Sequence, residues 1–167
     1  MCLQLFKAIP ARAWFAACAL GAFGLVVIGL QLQAIYHLAP CPLCIFQRVL
    51  YLGLGGLALL GWLFPRAGKL WSAGMVGVGI TGFAVAVYQS WMQAFPHLAK
   101  ECSYTDPDLI ERFVEWLGMM QPSLFLATGF CTSRDWVFLG LSMADWSVLV
   151  FAGFIVVAAL LFFRRKP

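Results

Sequence analysis

The sequence predicts an all-α membrane protein, a four-transmembrane-helix bundle with both termini cytoplasmic and a short amphipathic helix in its second outer loop. Three observations predict it: a lipid-like composition, four apolar runs of spanning length, and a one-sided distribution of charge. Apolar residues make up 63% of the 167 and charged residues 11%, where soluble domains hold about 45–50% and 25%. The mean hydropathy is +0.90. At this length one domain, 1–167, accounts for the whole chain.

A helix crosses the hydrocarbon core with about 20 residues at 1.5 Å each. Runs over residues 13–32, 45–64, 70–88 and 146–163 meet that length, leaving outer loops at 33–44 and 89–145. Glycines recur in the second and third runs (Gly53, Gly55, Gly56; Gly74, Gly77, Gly79), and small residues let membrane helices pack closely. A cleaved signal peptide is the competing reading of the first run. That run exceeds the usual apolar stretch of about 7–15 residues, so we read it as a span.

Charge sets the orientation. Lys7, Arg12, Arg66, Lys69, Arg164, Arg165 and Lys166 fall on one side with no acid. The opposite side holds Arg48, Lys100, Arg112 and Arg134 together with all seven acids. The positive-inside rule places the first group in the cytoplasm. Trp14, Trp62, Trp71, Trp91 and Trp146 lie near span ends, as an aromatic belt requires. The basic residues form no continuous face, so nucleic acid is not a partner.

This topology sorts the six cysteines. Cys2 is cytoplasmic and Cys18 lies within the first span, both without a role. Cys41, Cys44, Cys102 and Cys131 all reach the outer side, where two disulfides are the natural expectation. Cys41-Pro42-Leu43-Cys44 is a C-x-x-C, the spacing of reactive thiols, and Cys44 stands at the N-terminus of the second helix, whose partial positive charge favours a thiolate. A structural disulfide and a zinc site are the alternatives; zinc would call for a second close pair. Arg48 follows Cys44 by four residues and so shares its helix face. An arginine below the membrane surface either snorkels outward or marks a functional site, and beside a reactive thiol it can steady developing negative charge.

These residues resemble the disulfide-bond formation protein B (DsbB) family. The stretch Cys41-Pro42-Leu43-Cys44-Ile45-Phe46-Gln47-Arg48 looks like the family's C-x-L-C-I-x-x-R. Similarity continues through Gln93-Ala94-Phe95-Pro96, through Phe113-Val114-Glu115-Trp116-Leu117, and from Cys131 to Trp136-Val137-Phe138-Leu139-Gly140-Leu141. The resemblance implies a protein-dithiol:quinone oxidoreductase of the bacterial inner membrane, with its reactive cysteines periplasmic. It implies two redox disulfides, Cys41–Cys44 and Cys102–Cys131, and a DsbA-like thioredoxin-fold partner attacking at Cys102. It also implies a quinone, ubiquinone or menaquinone, held near Cys44 and Arg48, with Gln89 as a further contact. Two positions depart from the family: Gln89 stands where a histidine is frequent, and Gln47 where some relatives carry an acid. A neutral amide can hydrogen-bond but supplies neither proton nor charge.

Within the second outer loop, Asp106-Pro107 reads as a helix start. Ile110, Phe113, Trp116, Leu117 and Met120 follow at helical spacing, for a helix lying on the membrane or packed on its own loop. A vitamin K epoxide reductase-type enzyme also joins membrane helices to a C-x-x-C, but later in the bundle. A four-span scaffold with merely structural disulfides is the reading from another class. Thiol exchange with a reduced partner separates it from a relay.

Orientation gives the first testable expectation. A membrane-impermeant amine reagent should label Lys100 from the outer side and Lys69 only after the membrane is opened. The reverse pattern would place four cysteines in a reducing compartment and exclude disulfide generation.

Overall fold

The computed structural model describes residues 9–97 and 108–164. In chain order they form α1 (Ala11–Tyr36), α2 (Pro42–Leu63), a 3₁₀ turn (Pro65–Ala67), α3 (Gly68–Ala94), α4 (Leu109–Met120) and α5 (Pro122–Phe125). A two-stranded hairpin, β1 (Val137–Phe138) and β2 (Leu141–Ser142), then leads into α6 (Met143–Phe163). Helices α1, α2, α3 and α6 are long and apolar enough to cross a membrane, and the chain is an all-α four-span bundle.

The helices run longer than the apolar runs. Helix α1 continues past Leu32 through Gln33 to Tyr36, and α3 continues past Tyr88 to Ala94. Hydropathy falls where Gln33, Gln89 and Gln93 enter, yet a helix satisfies its own backbone whatever its side chains. Helix α1 stops at His37, which takes a left-handed conformation (φ 49°), and the N–H of Leu38 donates back to the Gln33 carbonyl at 3.1 Å. Pro40 and Pro42 then bracket the turn into α2. Helix α6 begins at Met143 because Ser142 caps it: the Asp145 N–H donates to Ser142 Oγ, and the Ser142 N–H donates to the Asp145 carboxylate at 2.8 Å.

In space the order is α1, α2, α3, α6. Helices α3 and α6 share the broadest contact, α1 packs on α2 and α2 on α3, whereas α1 and α6 meet only briefly. The core between them contains Leu54, Ala58, Met75, Ala86, Phe151 and Ala158, all fully buried. Tyr51 of α2 stacks on Phe151 of α6 with ring centroids 4.3 Å apart and planes 6° from parallel. Phe151 is accommodated by Gly82 of α3, where a Cβ would fall within the phenyl ring's van der Waals surface.

The surface helix starts later than its sequence suggests. Asp108, not Asp106, is the N-cap of α4; its carboxylate takes the N3 amide while the Asp108 N–H donates to Glu111 at 3.0 Å. The D-x-x-E spacing of Asp108 and Glu111 makes a reciprocal cap, and Asp106-Pro107 lies outside the described residues. Val114 and Gly118 are buried against the protein, while Leu109, Phe113, Trp116, Met119 and Met120 remain exposed. The helix thus packs on α2 and on α5 of its own loop along one stripe and offers an apolar face outward along another. The hairpin was not anticipated. Its turn residues, Leu139 (φ 53°) and Gly140 (φ 81°), both have positive φ, as a two-residue type I′ turn requires.

Gly82 supplies a test of this packing. Gly82→Val should lower stability by about 1–3 kcal/mol through overpacking against Phe151, measured as thermal unfolding of the detergent-solubilised protein. Gly77→Val, at a position with nothing within 4 Å of its Cβ, should be near neutral.

Candidate active site

Helix α2 begins at its C-x-x-C motif. Cys41 is the N-cap, with extended backbone (φ −85°, ψ 163°), and Pro42 occupies the first helical position. A proline there costs nothing, since that amide has no helical partner. The Cys44 N–H donates to Cys41 Sγ at 3.3 Å, and the two sulfurs lie 3.1 Å apart, the Cys41 thiol donating to Cys44. Cys44 therefore sits inside the first turn rather than ahead of the helix, and sulfur plays the capping role usually filled by a hydroxyl or carboxylate.

Helix α3 brings Gln89 against both sulfurs. Its Nε2 donates to Cys44 Sγ at 3.0 Å and to Cys41 Sγ at 3.4 Å. Its Oε1 accepts from Nε2 of Gln47 at 2.7 Å. Both amides are buried, Gln89 at 2% and Gln47 at 4% exposure. Because Gln47 claims the oxygen, the nitrogen of Gln89 must face the thiols, so the two sequence departures form one unit.

Cys131 comes to the other side of Cys41. Both are 2% exposed and share a small core with Leu43 and Met92. The Cys41 thiol is pushed well above the usual range, first by its hydrogen bond with Cys131, then by that with Cys44, and by burial. Cys41 is thus held between two sulfurs. Cys102 and Cys2 lie outside the described residues, and Cys18 is buried within the helical core.

Arg48 lies one turn below Cys44. One guanidinium nitrogen donates to Gln33 Oε1 of α1 at 3.0 Å, and the other donates to the Leu124 carbonyl of α5. A planar fork can join two such partners at once. A cavity of about 310 Å³ opens here, with Cys44, Gln47, Arg48 and Gln89 among the polar groups that line it. Leu25, Ile28 and Leu32 of α1 and Met143 and Val150 of α6 supply apolar wall, so the cavity lies along the thin seam between those helices.

The fold thus gathers Cys41, Cys44, Cys131, Arg48 and Gln89 at one end of the bundle. Sequence reasoning missed Gln33 and Gln93. Both are half-buried amides in otherwise apolar helices, and a polar group in a membrane segment is itself a signal.

A family model described as disulfide bond formation protein DsbB matches residues 11–161. The chain belongs to the DsbB family. It is 62% identical over 157 residues to disulfide bond formation protein B of Dechloromonas aromatica (strain RCB), covering 94% of this chain and 95% of that one. It is also 38% identical to the protein of that name from Nitrosomonas eutropha, over 90% of this chain and 91% of the relative. With the protein of that name from Azoarcus sp. (strain BH72) it shares 36% identity, over 91% of this chain and 90% of the relative. As a DsbB-family protein it is a multi-pass membrane oxidoreductase of disulfide-bond formation, and in this member Gln89, paired with Gln47, contacts the C-x-x-C sulfurs.

That pair is testable. In a Cys41→Ser, Cys131→Ala background, Gln89→Leu should slow alkylation of Cys44 by a neutral reagent about tenfold or more, the lower end expected for losing one hydrogen bond to a charged group. Gln47→Leu should slow it less, and the double variant should match Gln89→Leu alone. Additive losses would show that the two amides act independently.

Proposed function

We propose that this protein oxidises a DsbA-like thioredoxin-fold dithiol and delivers the electrons to a membrane quinone, with its reactive end on the periplasmic face of a bacterial inner membrane. The observation that carries the reading is the position of Cys44. It lines an apolar-walled cavity together with Cys41, and Cys131 lies against Cys41.

The chemistry is a sequence of thiol–disulfide exchanges. A partner thiolate attacks Cys102 of a Cys102–Cys131 disulfide, forming a mixed disulfide and releasing Cys131. The Cys131 thiolate attacks Cys41 of the Cys41–Cys44 disulfide; that S–S bond breaks, Cys41–Cys131 forms, and Cys44 leaves as a thiolate. The partner's second thiol then releases Cys102, which attacks Cys131, restores Cys102–Cys131 and leaves Cys41 and Cys44 reduced. Each exchange conserves the number of disulfides, so the two electrons from the partner reside on the Cys41 and Cys44 sulfurs.

The cavity fits a quinone by the chemistry of its lining: apolar walls for a hydrocarbon chain, and the guanidinium donors of Arg48 for an oxygen. A quinone bound there supplies an acceptor for two electrons and two protons. The helix N-terminus and Gln89 stabilise negative charge on Cys44, while Arg48 holds its charge within one turn. Ubiquinone and menaquinone require the same kind of apolar cleft.

Quinol formation from a reduced thioredoxin-fold partner tests the reading. Serine at Cys41, Cys44, Cys102 or Cys131 should each abolish turnover, whereas Cys2→Ser and Cys18→Ala should retain it; normal turnover by any of the first four would break the relay. In the same assay Arg48→Lys should raise the apparent KM for quinone and Arg48→Met should raise it more. One charge-assisted hydrogen bond is worth about 1.5–3 kcal/mol, or roughly 10- to 150-fold. Single-turnover attack of the partner on Cys102 should be little changed. Unaltered quinone kinetics in Arg48→Met would remove the arginine from the site.

A further inference from the structure

Cys131 belongs to a segment with little regular structure, yet its sulfur meets Cys41 rather than Cys44, and the backbone on both sides of it is anchored. On the N-terminal side, the N–H groups of Thr128 and Gly129 both donate to the Pro40 carbonyl, at 2.9 and 3.1 Å. Pro40 immediately precedes Cys41, so the anchor is one residue from the target sulfur. On the C-terminal side, Nε2 of Gln93 donates to the Ser133 carbonyl at 2.9 Å. Gln93 lies one turn along α3 from Gln89, so a single ridge of that helix grips both the C-x-x-C sulfurs and the Cys131 segment.

The first anchor depends on residue 129 having no side chain. A Cβ there would overlap the Ala39 carbonyl oxygen and lie 2.8 Å from its carbonyl carbon and 3.2 Å from the Ala39 Cβ. Two backbones approach here more closely than any L side chain permits, and backbone atoms cannot move aside as a flexible side chain can. The φ of Gly129 is not among the positive values, so space rather than conformation requires the glycine.

We propose that Gly129 and the Pro40 carbonyl, seconded by Gln93, form a clasp that seats Cys131 on Cys41 and makes Cys41 its exchange partner. Gly129 and Gln93 are positioning residues for that step. Fixing two sulfurs at contact distance turns their reaction into an intramolecular one with a high effective concentration. The inference rests on the relay reading above, in which the Cys131 thiolate displaces Cys44 from Cys41.

Two cysteine backgrounds of the full chain test it, each equilibrated in detergent with reduced and oxidised glutathione. In both, two thiols are oxidised as one glutathione disulfide is reduced to two thiols. Cys44→Ser with Cys102→Ser reports the Cys41–Cys131 bond, and Cys102→Ser with Cys131→Ser reports the Cys41–Cys44 bond, each quantified by peptide mass mapping. Adding Gly129→Ala should lower the effective concentration for Cys41–Cys131 about tenfold or more, since misplacement on the ångström scale costs that much. It should leave that for Cys41–Cys44 unchanged, whereas general loosening would lower both. An unchanged Cys41–Cys131 value, or an equal fall in both, overturns the clasp. If Gly129→Ala does not yield folded protein by circular dichroism, Gln93→Leu decides by the Cys41–Cys131 value: a fall supports the clasp and no change overturns it. Failure of the relay itself is seen separately, as absence of partner-driven quinol formation by the unaltered chain.

Discussion

The buried contact between Gln89 of α3 and the two sulfurs at the head of α2 is the constraint on which the rest of the reactive end depends. In an apolar medium an unsatisfied amide is costly, and Gln89 is satisfied only if Gln47 meets its oxygen and the sulfurs meet its nitrogen. That pairing fixes how far α3 slides along α2 and which way it faces. Once α3 is fixed, Met92 and Gln93 follow on the next turn, and the site for the Cys131 segment is set. A titratable group at this place would couple the sulfurs to pH. A neutral amide instead holds one arrangement at every pH the membrane meets.

Arg48 does for the opposite flank what Gln89 does for the near one. Its fork ties Gln33 of α1 and the Leu124 carbonyl of α5 to α2, where helices α1 and α6 scarcely touch. Arg48 also lines the cavity there, so the polar group in its wall is held in place by α1 and α5. Removing the charge would cut the ties to Gln33 and Leu124 as well as alter the cavity lining.

Much of this was legible in the sequence. Four apolar runs gave the bundle, because lipid imposes a length on any helix that crosses it. The spacing of Cys41, Cys44 and Arg48 gave one helix face. Helix ends were harder: hydropathy falls at Gln33 and Gln89, but the helix continues, since its ends are set by His37 and by hydrogen bonds rather than by apolarity. The start of α4 was displaced because two aspartates compete and only Asp108 has a glutamate three residues on. The hairpin was hidden because its left-handed turn begins with leucine, a residue that seldom announces one. Nothing local could reveal the approach of Gly129 to Ala39, ninety residues apart in the chain and adjacent only through the packing of α1, α2 and α3.

The 3₁₀ turn at Pro65–Ala67 joins α2 to α3 with almost no slack. Both helices are continuous from that turn to the reactive end, so the number of residues in each arm sets the angular phase of Gln47 and Gln89. One residue inserted in the upper part of either arm would rotate everything beyond it by about 100° and lift it by about 1.5 Å. Gln89 would then face lipid or another helix and the sulfurs would lose their donor. Length in this helical hairpin is accordingly a chemical variable: the chain tolerates substitution along its lipid-facing flanks, but between Gln47 and Gln89 it has to keep count.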